Sequence, residues 1–232
     1  MKQSRSWIAV LVLVLSSLVG CHSSPKITAD EVMRRLREVE AKTVSRHAQW
    51  EMDLQADIFQ GTLVLEVWEQ KPDRRRLEVV EASQADWQGT TAVMVGDQAW
   101  LYQPRSGRVT VGPVVKVRLP LVQDVLVWAE EIVIQTPLKQ VRVQGEEQLD
   151  DRPAYKLVYN RDGNTATVWV DQTRWVPLQI EYDHPSLGHG RLRVRFLELN
   201  PSLGEERFSL TPPARAEVVR SGGETPQPVA LE

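Results

Sequence analysis

Residues 47–56 read HAQWEMDLQA. Ala48, Trp50, Met52, Leu54 and Ala56 alternate with His47, Gln49, Glu51, Asp53 and Gln55. Successive side chains of a strand point to opposite faces, so this period of two predicts a half-buried strand with one wet face. The same period continues towards the C-terminus. Phe59-Gln60-Gly61 turns the chain, and Leu63, Leu65 and Val67 mark the next strand. Lys71-Pro72-Asp73-Arg74 breaks it before Leu77, Glu78 and Val79 resume. Further runs at 91–95, 99–102 and 109–111 are separated by Gly96-Asp97 and by the turn 104–107. Short alternating runs between turn residues are the mark of an antiparallel meander.

One stretch departs from this pattern. Residues 119–132 (LPLVQDVLVWAEEI) carry longer apolar runs that suit a helix better than a strand. Strands are then predicted over 140–148, 154–159, 165–171, 175–182 and 191–199, with Asn160-Arg161-Asp162-Gly163-Asn164 as a hairpin turn. In the last of them Arg191, Arg193 and Arg195 should share one face, and Leu192, Val194 and Phe196 the other. Upstream of residue 47, Thr28-Ala29-Asp30-Glu31 has the form of a capping box, followed by Val32, Met33, Leu36 and Val39 at helical spacing. The sum is a mainly β (α+β) chain: a large curved antiparallel sheet of about eleven strands with helices on one face.

The N-terminus carries a different signal. Lys2 and Arg5 precede a short apolar run, WIAVLVLVLSSL at 7–18, and then Leu18-Val19-Gly20-Cys21. The run falls short of the roughly 20 residues a spanning helix needs. A basic start, a short apolar core and small residues describe a secretory leader over residues 1–20. The junction resembles the lipobox of bacterial lipoproteins, in which the cysteine thiol receives a diacylglyceryl group and becomes the first mature residue. Cys21 is the only cysteine of the 232-residue chain, so no intrachain disulfide is available. Residues 21–27 would be the lipidated cysteine and a short tether, and 214–232 a mobile Gly/Pro-rich tail.

The whole chain has a formal net charge of −3. Losing Lys2 and Arg5 with the leader takes this to −5, and no basic stripe offsets it, which argues against a nucleic-acid partner. No catalytic motif is present, and none is predicted: no HExxH, GxSxG, P-loop or dinucleotide fingerprint occurs, and no cofactor is implied. Asp183, His184 and His189 share a Gly/Pro loop but lack a further ligand, so no metal is expected there. Arg74-Arg75-Arg76 could meet anionic headgroups or a partner's acids, or simply line a solvated strand edge.

Several phrases along the mature chain resemble the LolA/LolB-like superfamily of bacterial lipoprotein and lipid carriers. They are Gly61-Thr62-Leu63, the run KPDRRRLE at 71–78, GDQAWLYQP at 96–104, VWVD at 168–171, Val176-Pro177-Leu178, Asn200-Pro201-Ser202-Leu203 and FSLTPP at 208–213. Their order and spacing over roughly residues 30–213 carry the resemblance, and the domain is expected to span 28–213. It implies an open half-barrel closed by helices, with an apolar cavity that holds acyl chains. Cavity-facing candidates are then Trp50, Met52, Leu54, Leu63, Leu65, Val67, Leu77, Val79, Trp100 and Tyr102 from the sheet. The helices would add Met33, Leu36, Leu121, Val125 and Trp128. The same alternation also builds an ordinary filled core. Expected partners are lipid or the acyl chains of lipoproteins, the membrane through the lipid on Cys21, and an envelope protein if the domain is instead a tethered sensor or interaction module. A structural envelope lipoprotein with neither ligand nor specific partner is a third reading.

Overall fold

The computed structural model describes residues 27–161 and 163–221. The expected leader, Cys21 and nearly all of the tether lie outside the described residues, as does the expected tail beyond 221. No described helix is long and apolar enough to cross a membrane.

Helix α1 (Ala29–Lys42) starts where the capping box places it. The Thr28 hydroxyl accepts from the Glu31 amide at 3.2 Å. The reciprocal half of the box is not made: the Glu31 carboxylate is taken by Arg34 and Arg35 one turn on. The strands are β1 (Ser45–Ala56), β2 (Phe59–Gln70), β3 (Arg74–Ala82), β4 (Thr91–Val95), β5 (Gln98–Gln103) and β6 (Arg108–Pro113). After helix α2 (Val122–Gln135) come β7 (Val141–Leu149), β8 (Arg152–Arg161), β9 (Asn164–Asp171), β10 (Pro177–His184), β11 (Gly188–Leu199) and β12 (Glu217–Arg220).

All twelve strands form one open sheet, in the order β12-β6-β5-β4-β3-β2-β1-β11-β10-β9-β8-β7. Two meanders meet where β11 pairs with β1. This topology explains the helical interruption. Strand β6 lies near one edge and β7 forms the other, so the link between them must cross a face of the sheet. Helix α2 makes that crossing, and with α1 it covers the concave face. Strand β12 is the one unexpected strand. It falls in the stretch read from sequence as tail and pairs parallel with β6 from Glu217 to Arg220. Four residues are too few for alternation to mark a strand; pairing to an existing edge supplies the order.

Irregularities set which side chains face inward. The β1–β11 register shifts at Gln49/Trp50, so that Gln49 opposes Phe196 while Trp50 opposes Val194. Arg195 is the extra residue of a β-bulge, which re-phases the strand. Leu192 and Val194 face the core as expected, but Phe196 emerges on the convex face, 45% exposed, edge-on to His47. At the turn into β11 the backbones crowd. Gly188 has φ +75°, and a Cβ there would stand 2.1 Å from the Gln55 carbonyl oxygen. Gly188→Ala is therefore expected to destabilise by about 2 kcal/mol, from left-handed strain and the clash together. Denaturant midpoints of the two chains check this.

Candidate functional site

The concave face is built from cross-strand rows. One runs Leu63–Met52–Leu192–Ile180–Val168–Leu157 across β2, β1, β11, β10, β9 and β8. Another runs Val67–Leu77–Ala92–Leu101 across β2 to β5. Beneath the helices these rows form the core. Met33, Met52, Leu54, Leu63, Leu65, Leu77, Val79, Leu121 and Val125 are buried in it, and Trp128 packs against it. Leu121 caps α2 with φ +59°.

Trp100 and Tyr102 do not join them. Leu101 continues the inner row from Leu77 and Ala92, which turns Trp100 and Tyr102 to the convex face. There Trp100 lies in the row Trp68–Arg76–Val93–Trp100–Val111. Strand β5 is apolar on both faces, so alternation alone could not decide its phase. The convex side is apolar here because the 3₁₀ turn Glu205–Phe208 packs over β3 and β4. The guanidinium of Arg207 sits 4.7 Å from the Trp68 ring centroid.

Between α1, α2 and the sheet a crevice of about 110 Å³ remains. Of the sequence candidates, Leu36, Trp50 and Val67 line it. Leu126, Ala129, Val133 and Ile134 of α2 form its roof, Ile180 and Leu192 its floor, and Trp175 to Pro177 one wall. Sequence reading missed the roof and wall because they lie on a helix that is apolar beyond one stripe or at a turn; Ile180 and Leu192 lie on strands, and the cross-strand register turns them inward. Arg35 stands over the Trp175 ring at 5.3 Å, and Tyr155 stacks on it at 5.6 Å.

An ionic row crosses one end of the crevice. Arg46, Glu69 and Arg75 are cross-strand neighbours on the concave face of β1, β2 and β3. Arg46 bonds Glu69 at 2.9 Å and reaches up to Glu40 of α1 at 2.5 Å. Arg75 bonds Glu69 at 2.7 Å and Glu130 of α2 at 3.3 Å. Lys71 adds a contact to Glu40 at 2.9 Å. Burial alone would push the Glu40 carboxyl up, but the Arg46 and Lys71 cations outweigh it and hold it below the usual range. Burial alone would likewise lower Arg46; Glu69 and Glu40 instead hold it above its ordinary value. Beyond this row lies a second, polar hollow of about 320 Å³, reaching Thr43, Ser45, Lys71 and Arg74. The pleat splits the triple arginine. Arg75 turns inward, while Arg74 and Arg76 turn to Glu205, Glu78 and the Ser209 carbonyl.

The helices are tied down at few polar points. Arg37 of α1 donates to the carbonyl of Ile134 at 3.0 Å and of Thr136 at 3.3 Å, capping the otherwise open end of α2. At the turn between β10 and β11, His189 pairs with Asp183 at 3.2 Å, and His184 accepts from the amides of Ser186 and Leu187. Among the described residues no group of three metal-ligating side chains gathers.

Residues 29–220 match the family of predicted periplasmic proteins known as DUF2092. The chain belongs to that family. No curated protein matches this DUF2092 chain. An uncharacterised conserved protein from Thermus thermophilus superposes with a TM-score of 0.56 at 17% identity, covering 83% of this chain and 99% of that one. The lipoprotein LppX of Mycobacterium tuberculosis gives 0.50 at 17% identity, covering 76% and 97%. MucB gives 0.50 at 18% identity, covering 82% of this chain and 65% of MucB. These likenesses concern the fold. The shared fold is an open sheet with helices across its concave face.

Proposed function

We propose that this DUF2092 protein is a lipid-anchored extracytoplasmic lipoprotein that binds acyl chains of lipids or lipoproteins beneath its helices and takes part in their transport or sorting. The observation that carries the reading is the apolar crevice between α1, α2 and the concave face. Its roof, α2, is apolar well beyond its buried stripe: Leu126 and Ile134 are half-buried, and Val127 is exposed. Such a helix can exchange contact with the sheet for contact with a bound chain, each buried methylene contributing about 0.8 kcal/mol. The volume of about 110 Å³ is below the ~300 Å³ of a usual ligand pocket, so entry of a chain requires α2 to lift.

That small volume also favours a second reading, a tethered sensor or interaction module with a nearly filled core that contacts an envelope protein. The mature unacylated chain separates the two. Lipid retained in native mass spectra, with saturable uptake of a fluorescent fatty acid, supports binding. An empty protein that takes up none, yet captures one stoichiometric envelope partner, supports the module. Ala129→Phe places a ring in the roof of the crevice. If chains bind there, uptake should fall roughly 30-fold, the equivalent of about 2 kcal/mol of displaced methylene contact. A thermal scan of the same variant monitors folding, and unchanged uptake in a folded variant places the ligand elsewhere.

A further inference from the structure

Tyr182 lies on the concave-face row Leu54–Gly190–Tyr182–Ala166–Tyr159, one row along the strands from Ile180 and Leu192 in the crevice floor. Two residues of strand separate the rows by about 7 Å. Gly190 and Ala166, on either side of Tyr182 in the row, are small. A Cβ at Gly190 would stand 2.6 Å from the phenol oxygen and from Cε1, so the ring lies flat against that glycine. Trp128 of α2 covers the ring, with centroids 5.1 Å apart.

The side chain is only 5% exposed, and its hydroxyl is buried with no hydrogen-bond partner among the described residues. Burial pushes this phenol up to about 12, so it is a neutral donor at any working pH. A buried hydroxyl without a partner carries its full desolvation cost, and phenylalanine would fill the same space without it. Two strands away, the buried Tyr159 hydroxyl has only the Met33 sulfur at 3.1 Å, a weak acceptor. The core therefore holds a donor beside the crevice that packing does not require.

We infer that the Tyr182 hydroxyl donates to the carbonyl oxygen of an acyl chain lying in the crevice, so that the site selects fatty acyl esters or fatty acids over plain hydrocarbon. This rests on the acyl-binding reading above. The tail would run past Ile180 and Leu192, and the carbonyl would take the place that Trp128 now closes. The head would leave beside His184, whose ring lies 5.6 Å from Trp128 at the end of β10.

The test is displacement of a fluorescent acyl probe from the mature Cys21→Ser chain, with and without Tyr182→Phe, by methyl palmitate, palmitate and heptadecane. With Tyr182 present, the carbonyl compounds should displace the probe about tenfold more effectively than the alkane, as one hydrogen bond to a buried donor allows. In Tyr182→Phe that preference should fall to about twofold or less, with alkane binding unchanged and the melting temperature no lower. Displacement by palmitate but not its ester would support the inference with the free acid as ligand; displacement by both supports the shared carbonyl. A tenfold preference that survives in Tyr182→Phe overturns it. A probe that never binds overturns the crevice reading itself, a different failure.

Discussion

Cys21→Ser is expected to abolish incorporation of labelled palmitate and to move the protein, once its leader is cleaved, from the membrane to the soluble fraction. Cys21 is the lone thiol of the chain and closes the junction Leu18-Val19-Gly20-Cys21. One acyl chain gives only marginal, reversible membrane binding, whereas two or more give stable anchoring. At about 0.8 kcal/mol per buried methylene, losing a diacylglyceryl group removes far more binding free energy than any surface contact of the domain could replace. The described residues contain no cysteine and none of them is altered, so the melting temperature of the soluble chain should not change. A cleaved Cys21→Ser chain that stays with the membrane would rule out the lipid as its anchor. Loss of labelling without loss of binding would point to a protein partner instead.

Much of the fold could be read in the sequence because period and turn chemistry are local. The alternation at 47–56, the breaks at Lys71-Pro72 and Gly96-Asp97, and the Thr28 cap all act within a few residues. What escaped depends on pairing. The bulge at Arg195 sends Phe196 outward although Leu192 and Val194 point in, and no feature of that run marks the shift. Trp100 and Tyr102 looked like cavity residues because they are the larger apolar set of β5, yet the neighbouring strands fix Ala99 and Leu101 as the inner pair. The site was obscured for a related reason. Arg75 could be read only as part of the triple arginine and Arg46 and Glu69 carried no signal of their own; the three become one inward-facing row only when β1, β2 and β3 are laid side by side. Sequence alone shows that they are charged; the register shows that their charges alternate and meet the helices.

That row supports the second large effect. Arg46→Met should cost about 3 kcal/mol at neutral pH, read as a lower denaturant midpoint. The Arg46 side chain is 22% exposed and bonds two carboxylates from different elements, Glu40 of α1 and Glu69 of β2. With Lys71, Arg75 and Glu130 the set is balanced, three cations against three anions. Methionine fills similar space but leaves one excess negative charge in a poorly hydrated place. Removing one partner of a buried pair costs 3–5 kcal/mol, and partial exposure puts this site near the low end of that range. The pH dependence has a defined sign. Glu40 is held below its unfolded value, so its contribution is complete above that value and is lost as pH falls through the folded one. The deficit of Arg46→Met should therefore be largest near neutrality and shrink as pH falls through the lowered Glu40 value. Adding Glu40→Leu to Arg46→Met restores the charge balance, because Lys71 and Arg75 then face Glu69 and Glu130. The double variant should recover most of the lost stability, since an apolar replacement for a buried ion pair is often neutral. If the row merely decorated the surface, the single variant would lose less than about 0.5 kcal/mol and the second substitution would restore nothing.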